Sequence, residues 1–244
     1  MKSTFWLHMT RNLVLGILIS GLLRLHAGTE TDVIPEAFVY TELQISVPFE
    51  EVPWQEISIK LKQVPGLLSK TWLSGTNGSV GGFYVFDTIE HAKTFVATIF
   101  PKEAAAFGVA QTTRIFDARE TENASRDMRS IMYTGQKISK PGAFVYTELQ
   151  VYRLPFDETV PWKARNPVLM REEGLLNKTW LSGLHTGTIG GFYAFDTMEN
   201  AKRFTIQELP KVAESLNTAF YTRIFDAQAT REASTMMNSA FYQK

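Results

Sequence analysis

The residues of this sequence that could do chemistry come in two matched sets. The string AFVYTELQ occurs at 37–44 and again at 143–150, and KTWLSG occurs at 70–75 and at 178–183. Each set contains tyrosine, glutamate, lysine and tryptophan, and a second tyrosine and an arginine follow downstream. Aromatic walls with a few placed polar groups are the usual lining of a small-molecule pocket. The two sets therefore predict sites for a flat, partly polar aromatic ligand.

Alternation along the predicted strands indicates which side chains face that ligand. In the segment 38–45, Val39, Thr41 and Leu43 share one face and suit packing under helices. We expect the opposite face, together with residues of the later strands, to line a cavity. The predicted catalytic residues are Tyr40, Glu42 and Trp72, with their counterparts Tyr146, Glu148 and Trp180. The predicted substrate-binding residues are Lys70, Tyr84 and Arg114, with their counterparts Lys178, Tyr193 and Arg223.

A purely structural interpretation of these residues stays open at this point. Glu42 and Lys70 would then form an ion pair between two sheets, the tryptophans would be ordinary core, and the arginines would be solvated at a barrel rim. The identity of the two copies does not decide the matter, because a recent duplication preserves structural and functional residues alike.

Composition argues against several other chemistries. The 25 basic and 25 acidic residues give a formal net charge of zero, which offers no electrostatic case for nucleic acid or an anionic membrane as partner. The chain has no cysteine, and His91 and His185 have no histidine counterpart in the other copy. We therefore expect no metal site. No G-x-S-x-G motif precedes a predicted helix, so a serine hydrolase is not supported.

The spacing of the copies predicts the fold class. The motifs recur after 106 to 109 residues, far longer than the roughly 20 to 50 residues of a solenoid repeat. Each copy has the strand and helix order β-α-β-β-α-β, which is the ferredoxin-like arrangement. Such a sheet has helices on one face, and its other face needs a cover. We predict an α+β fold of two ferredoxin-like repeats packed as an intramolecular dimeric α/β barrel, an internal pseudo-dimer whose further self-association stays open.

The predicted domain organisation starts with a signal peptide at 1–27. Basic residues precede an apolar run at 13–23 that is too short to span a bilayer, and a tolerable cleavage site follows. The prediction is an exported protein, periplasmic or extracellular, with no membrane contact once the signal is removed. An uncleaved tether stays open as an alternative, because Arg24 close to the cleavage site is atypical. An N-terminal extension at 28–36, a first repeat at 37–121, a connector at 122–142 and a second repeat with a C-terminal tail at 143–244 complete the division.

Two local features carry expectations of their own. Pro167 lies where the first copy has Ile59, inside the first predicted helix, so we expect that helix to be short or irregular in the second repeat. The glycine runs at 78–82 and 187–191 lead into strands rather than helices, which is the wrong context for a phosphate cradle. We interpret these residues as turn glycines.

The string PGLLSKTW at 65–72, followed by GGFYVFDT at 81–88 and RIFD at 114–117, resembles the YdhR-type monooxygenase family. That family belongs to the antibiotic-biosynthesis-monooxygenase-like group of dimeric α/β barrels. The resemblance covers essentially all of each repeat and implies a unit that dimerises through its sheets. This chain departs from the family pattern in the fused dimer, in the signal peptide, and in Glu173, which replaces Pro65 in the second copy.

The resemblance also implies an activity. Related barrels oxygenate polycyclic phenols or anthrones with molecular oxygen and without metal or flavin, so no cofactor is expected. The family's strand-two tryptophan matches Trp72 and Trp180, and its strand-three aromatic matches Tyr84 and Tyr193. A base that helps to form a substrate carbanion is required, for which Glu42 or a tyrosine hydrogen-bonded to Lys70 is a candidate.

Three functions follow as hypotheses. The first is a cofactor-independent monooxygenase acting on a small aromatic or polycyclic substrate. The second is an exported, non-catalytic barrel that binds a small ligand or serves under stress. The third is haem binding or degradation, as in other barrels of this superfamily, which would require His91 or His185 as a ligand.

Overall fold

A computed structural model describes residues 34–136, 138–151, 156 and 160–242 of the chain. The predicted signal peptide and all but the last three residues of the predicted N-terminal extension lie outside this range. Within it, no helix has the length and apolar character needed to cross a membrane.

The first repeat has the predicted β-α-β-β-α-β order. Its elements are β1 (Ala37–Leu43), α1 (Trp54–Leu61), β2 (Leu67–Ser74), β3 (Val80–Phe86), α2 (Ile89–Thr94), α3 (Phe100–Phe107) and β4 (Gln111–Asp117). A π-helical segment, Phe95–Ile99, joins α2 to α3. Helix α3 ends at Gly108, whose left-handed backbone (φ 63°) suits a residue without a side chain. The predicted connector contains two further helices, α4 (Glu122–Asp127) and α5 (Ile131–Thr134).

The second repeat has the same order of elements. They are β5 (Ala143–Gln150), α6 (Trp162–Leu169), β6 (Leu175–Ser182), β7 (Thr188–Phe195), α7 (Met198–Arg203), α8 (Leu209–Ser215), β8 (Phe220–Asp226) and α9 (Arg231–Met236). The π-helical segment recurs at Phe204–Glu208. Of the expectation that the first helix would be short or irregular, the part on length is wrong, because α6 has eight residues, as α1 does. Pro167 has no backbone N–H and therefore removes one hydrogen-bond donor from the helix. The helix continues on either side of it, because Arg165 N–H donates to Pro161 O (3.0 Å) and Met170 N–H donates to Asn166 O (2.8 Å).

The eight strands form two antiparallel four-stranded sheets, in the orders β2-β3-β1-β4 and β6-β7-β5-β8. The sheets pack face to face through a buried aromatic core. Across the pseudo-twofold axis, Phe83 stacks on Phe192 (4.3 Å between ring centroids) and Tyr40 on Tyr146 (4.0 Å). This core covers the helix-free face of each sheet, so the predicted fold class, two ferredoxin-like repeats in one α/β barrel, is confirmed.

The barrel is closed at both seams between the repeats. The end of β2 bridges to β8 through Gly75 and Phe225, and the end of β6 bridges to β4 through Gly183 and Phe116. The loop residue Leu184 adds a hydrogen bond from its N–H to Ile115 O (2.8 Å). Neither sheet therefore presents a fully open edge at these seams.

Each repeat ends in an arm that crosses to the other repeat. Helix α4 of the first repeat lies against β6, where Ser125 Oγ accepts a hydrogen bond from Trp180 N–H (2.9 Å). Helix α9 of the second repeat lies against β2, where Ser234 Oγ accepts one from Trp72 N–H (2.9 Å). The strand that carries lysine and tryptophan is thus held in each repeat by residues of the other.

Candidate functional site

The structure divides the predicted site residues between the two faces of each sheet. Cross-strand register places Val39 opposite Tyr84, and Tyr84 opposite Lys70, so these three share a face. Tyr40 is opposite Phe83 and Arg114 and therefore lies on the other face. The prediction that one cavity holds all six residues is wrong. The lysine, tryptophan and second tyrosine lie under the helices, on the face predicted to be plain packing.

The tyrosine, glutamate and arginine form a polar network between the two sheets. Glu42 accepts hydrogen bonds from Tyr40 Oη (2.5 Å), Tyr221 Oη (2.8 Å) and Arg223 Nε (3.1 Å), and Gln44 also donates to it. Burial opposes ionisation of Glu42, yet these hydrogen bonds outweigh it and hold the pKa of its carboxyl below its usual range. The suggested ion pair between Glu42 and Lys70 does not form; the partner of Glu42 is the arginine of the other repeat.

A matching pair closes the other side of the interface. Glu148 accepts hydrogen bonds from Arg114 Nε (3.2 Å), Tyr146 Oη (3.1 Å) and Thr188 Oγ1 (2.8 Å). The glutamates are buried and the arginines are partly exposed. These residues join the repeats to each other, and none of the four belongs to the lining of the two spaces under the helices.

The lysine of each repeat lies fully buried between two aromatic rings. Lys178 Nζ is 2.8 Å from the ring centroid of Trp180 and 4.9 Å from that of Tyr193. Lys70 has the same relation to Trp72 (2.9 Å) and Tyr84 (4.8 Å). The amine of each lysine thus packs against the faces of two aromatic rings. This cluster forms the sheet wall of a space under the helices.

The lysine and tyrosine of each cluster fit beside each other because the strand residue next to them is a glycine. A side chain at Gly191 would place its Cβ 2.6 Å from Lys178 Cε and 2.7 Å from the Tyr193 ring, and Gly82 has the same surroundings in the first repeat. Both glycines lie inside strands, so interpreting them as turn glycines is wrong, whereas Gly78 and Gly187 do lie in turns with positive φ.

In the second repeat the space is a cavity of about 650 Å³, within the usual size range of small-molecule sites. Its walls come from the sheet, from α6, and from the π-helical segment with α8. Exposed Gln150, Ser215 and Asn217 lie at its solvent-facing rim. The main apolar lining residues are Leu149, Leu169, Trp180, Tyr193, Phe204 and Leu209.

In the first repeat the same space is almost filled, and about 30 Å³ remains. Phe100 and Phe107 line it where the second repeat has Leu209 and Leu216. Glu103 also lines it, where the second repeat has Val212. The larger rings and the acidic side chain of α3 thus occupy the volume that stays open in the second repeat.

The two spaces differ in charge as well as in size. In the first repeat Glu103 faces Lys70, and its negative charge counters the effect of burial, which lowers the pKa of the lysine. In the second repeat Arg165 replaces Ile57 at the cavity wall. Burial lowers the pKa of Lys178 well below its usual range, and the charge of Arg165 lowers it further.

The orientation of Trp180 depends on Asn166, which the sequence analysis did not single out. Asn166 is fully buried in α6, and its Oδ1 accepts a hydrogen bond from Trp180 Nε1 (2.8 Å). Its Nδ2 donates to Ala124 O (3.0 Å) and to Asp127 Oδ2 (2.9 Å) of the crossing arm. The first repeat has a serine there, at 58, and a longer bond to Trp72 (3.2 Å).

The two histidines in the described part of the chain, His91 and His185, do not line either space. His91 Nδ1 is 2.7 Å from Asp87 Oδ1 on the surface of α2, and His185 lies in the loop between β6 and β7. Across the described part of the chain, no cluster of histidine, aspartate and glutamate could hold a metal ion. Among the described residues that line the cavity there is no histidine to ligate haem iron.

Fold and cavity together define the class of protein: a fused dimeric α/β barrel of ferredoxin-like repeats with a small-molecule cavity under the helices of one repeat. Within that class, the family model described as "Putative mono-oxygenase ydhR" matches residues 43–127. The resemblance of the first repeat to this family is confirmed, and the second repeat carries the same motifs. No curated protein matches the sequence significantly.

Solved structures share the fold at low identity. An anthrone oxidase-like protein is 14% identical, with a TM-score of 0.52 over 79% of this chain and 91% of that chain. A putative monooxygenase from Lactobacillus acidophilus NCFM is 8% identical (TM-score 0.46; 78% and 93% covered). A mutant chlorite dismutase from Candidatus Nitrospira defluvii is 9% identical (TM-score 0.47; 81% and 95% covered). At 14% identity the likeness to the anthrone oxidase-like protein concerns the fold alone.

Proposed function

We propose that the protein is an exported, cofactor-independent monooxygenase that acts on a small aromatic or polycyclic molecule in the cavity of its second repeat. The observation that carries the proposal is the 650 Å³ cavity, whose sheet wall is Lys178, Trp180 and Tyr193. The match of the first repeat to a mono-oxygenase family model and the fold shared with an anthrone oxidase-like protein support the same class. The first repeat serves as its structural partner.

The proposed reaction converts an activated methylene group of the substrate into a carbonyl group. A base removes a proton from the carbon, and the resulting carbanion transfers an electron to O₂. Recombination of the two radicals and protonation give a hydroperoxide, which loses water to leave the ketone. One molecule of O₂ thus supplies one oxygen atom to the product and one to water.

Lys178 is the proposed proton acceptor. A general base works best when its pKa lies near the working pH, and both burial and Arg165 lower the pKa of this amine. Burial raises the pKa of Tyr193 to about 12, so its hydroxyl stays protonated at neutral pH and can donate a hydrogen bond to the developing oxyanion. Glu42, an earlier candidate for the base, lies outside the cavity in its ion pair with Arg223.

Oxygen uptake by the purified chain against a panel of anthrones and hydroquinones tests this proposal. We expect Trp180→Phe to lower kcat/KM at least tenfold, because the substrate packs on this ring. Trp72→Phe is the matched change in the closed repeat and should stay within about twofold of the parent. Uptake that responds equally to both changes, with both variants folded, would contradict the placement of the site.

A non-catalytic binding function is the second candidate, and the cavity itself favours it. The same walls can shelter an apolar ligand without any reaction. This candidate predicts saturable ligand binding that is lost in Trp180→Phe, with no oxygen uptake for any bound member of the panel.

A further inference from the structure

We infer that the cavity of the second repeat recognises an aromatic ligand that carries a carboxylate, with Arg165 as the residue that selects the acid. This inference deepens the proposed function, since it rests on that cavity being the ligand site. It concerns which molecules enter and not what happens to them.

The two repeats supply the argument as matched versions of one site. In the first repeat Glu103 lies in the same lining as the buried Lys70 and acts on it through its negative charge, and residue 57 is an isoleucine. The second repeat has Val212 at the position of Glu103 and Arg165 at the position of Ile57. Both differences shift the cavity toward positive charge, and both lie in its lining, on α6 and α8.

The described residues provide no counter-charge inside the cavity. None of their ion pairs involves Lys178 or Arg165. The side chain of Lys178 is buried, with 1% of the residue exposed. Arg165 is half-buried at the cavity wall and stays charged, so a ligand that displaces water from it has to supply a counter-charge. A ligand carboxylate would take the place that the Glu103 carboxyl group holds in the first repeat, and a guanidinium binds carboxylates through two parallel hydrogen bonds.

The other lining residues indicate the chemistry of the part of the ligand that carries no charge. Trp180, Tyr193 and Phe204 present aromatic surface, and Leu149, Leu169 and Leu209 present aliphatic surface. A flat apolar body with one acidic group matches this combination. A neutral polycycle would leave Arg165 desolvated and unpaired, so the site discriminates against it.

The test uses two probes that cannot be oxygenated at a methylene group, so binding is measured apart from turnover. The purified chain is titrated with anthraquinone-2-carboxylate and with the neutral anthraquinone-2-carboxamide, with tryptophan fluorescence and calorimetry as readouts. We expect the acid to bind at least tenfold more tightly than the amide. Arg165→Ile, which installs the residue of the first repeat, should remove this preference.

Matched variants separate charge from shape. Val212→Glu introduces the acid of the first repeat and should weaken binding of the carboxylate at least tenfold, whereas Val212→Gln, of similar size and no charge, should preserve the preference. Lys163→Ile removes a cation from the same helix outside the cavity lining and should also preserve it. Equal affinity for both probes, no binding of the acid, or a preference that survives Arg165→Ile overturns the inference. Oxygen uptake with uncharged aromatics in any of those cases would leave the proposed function standing.

Discussion

Replacing Glu42 with glutamine tests whether the inter-sheet network is structural or catalytic. The carboxylate is buried (1% exposed) and lies 3.1 Å from Arg223 Nε. At an effective dielectric constant of about 20, a charge pair at that distance is worth about 5 kcal/mol before desolvation is counted. Arg223 is 30% exposed, so solvent screens part of this attraction after the change. We expect Glu42→Gln to lower the free energy of unfolding by about 2–3 kcal/mol.

The other repeat supplies the control for this prediction. Glu148 is 8% exposed and its partner Arg114 is 40% exposed, at 3.2 Å. The better solvated pair should contribute less, so Glu148→Gln should cost about 1–2 kcal/mol. Urea denaturation, read as the shift in midpoint at constant slope, measures both. The reasoning fails if Glu148→Gln costs as much as Glu42→Gln, or if either costs nothing.

Glu42→Gln should also change how stability depends on pH, and its oxygen uptake tests whether Glu42 is catalytic. Because the pKa of Glu42 is lower in the folded protein than in the unfolded chain, its contribution is complete above the unfolded value of about 4.3. That contribution disappears as the pH falls through the folded pKa, so Glu42→Gln should flatten the loss of stability in this acidic range. Oxygen uptake by the folded variant should stay within about twofold of the parent, because Glu42 lies outside the cavity. A loss of hundredfold or more would restore Glu42 as a catalytic residue.

Two further predictions concern the cavity. Arg165→Ile removes a positive charge that lowers the pKa of Lys178, the proposed base, and so should move the acidic limb of the pH profile of kcat/KM to higher pH. An unmoved limb would contradict that proposed role. Of the other titratable groups at the cavity, Tyr193 stays neutral in this range because its pKa is about 12. Gly191→Ala and Gly82→Ala should each cost about 1–3 kcal/mol by crowding the lysine and tyrosine, measured by urea denaturation. Only Gly191→Ala should also weaken binding of anthraquinone-2-carboxylate, and equal effects on binding would place ligand in both repeats.

The architecture and the alternation of side chains within each strand could be predicted from the sequence. Which side chains of different strands share a face of the sheet could not. Period-two alternation correctly separates Lys70 and Trp72 from Thr71 and Leu73. It does not say which set shares a side with Tyr40, because that depends on pairing through β3, which lies between the two strands. The register that sets Lys70 against Tyr84 and Val39 is a property of the whole sheet.

The difference in charge between the two cavities is visible in the sequence. Aligning the copies shows Glu103 against Val212 and Ile57 against Arg165. Similarity between the copies cannot separate structural from functional residues, but a difference at a buried charge can, because each buried charge requires a partner. The size of the cavity could not be read in this way, since it depends on how α8 and the π-helical segment lie over the sheet.

The crossing arms explain why a closed repeat persists beside an open one. Strand β6 carries Lys178 and Trp180, and its backbone is hydrogen-bonded to Ser125 and Met128 of the first repeat's arm. The same arm also fixes Asn166, and through it the indole of Trp180. The first repeat therefore stabilises the cavity of the second without offering a cavity itself. In the fused pair the second repeat has an open cavity, whereas Phe100, Glu103 and Phe107 fill the corresponding space of the first repeat.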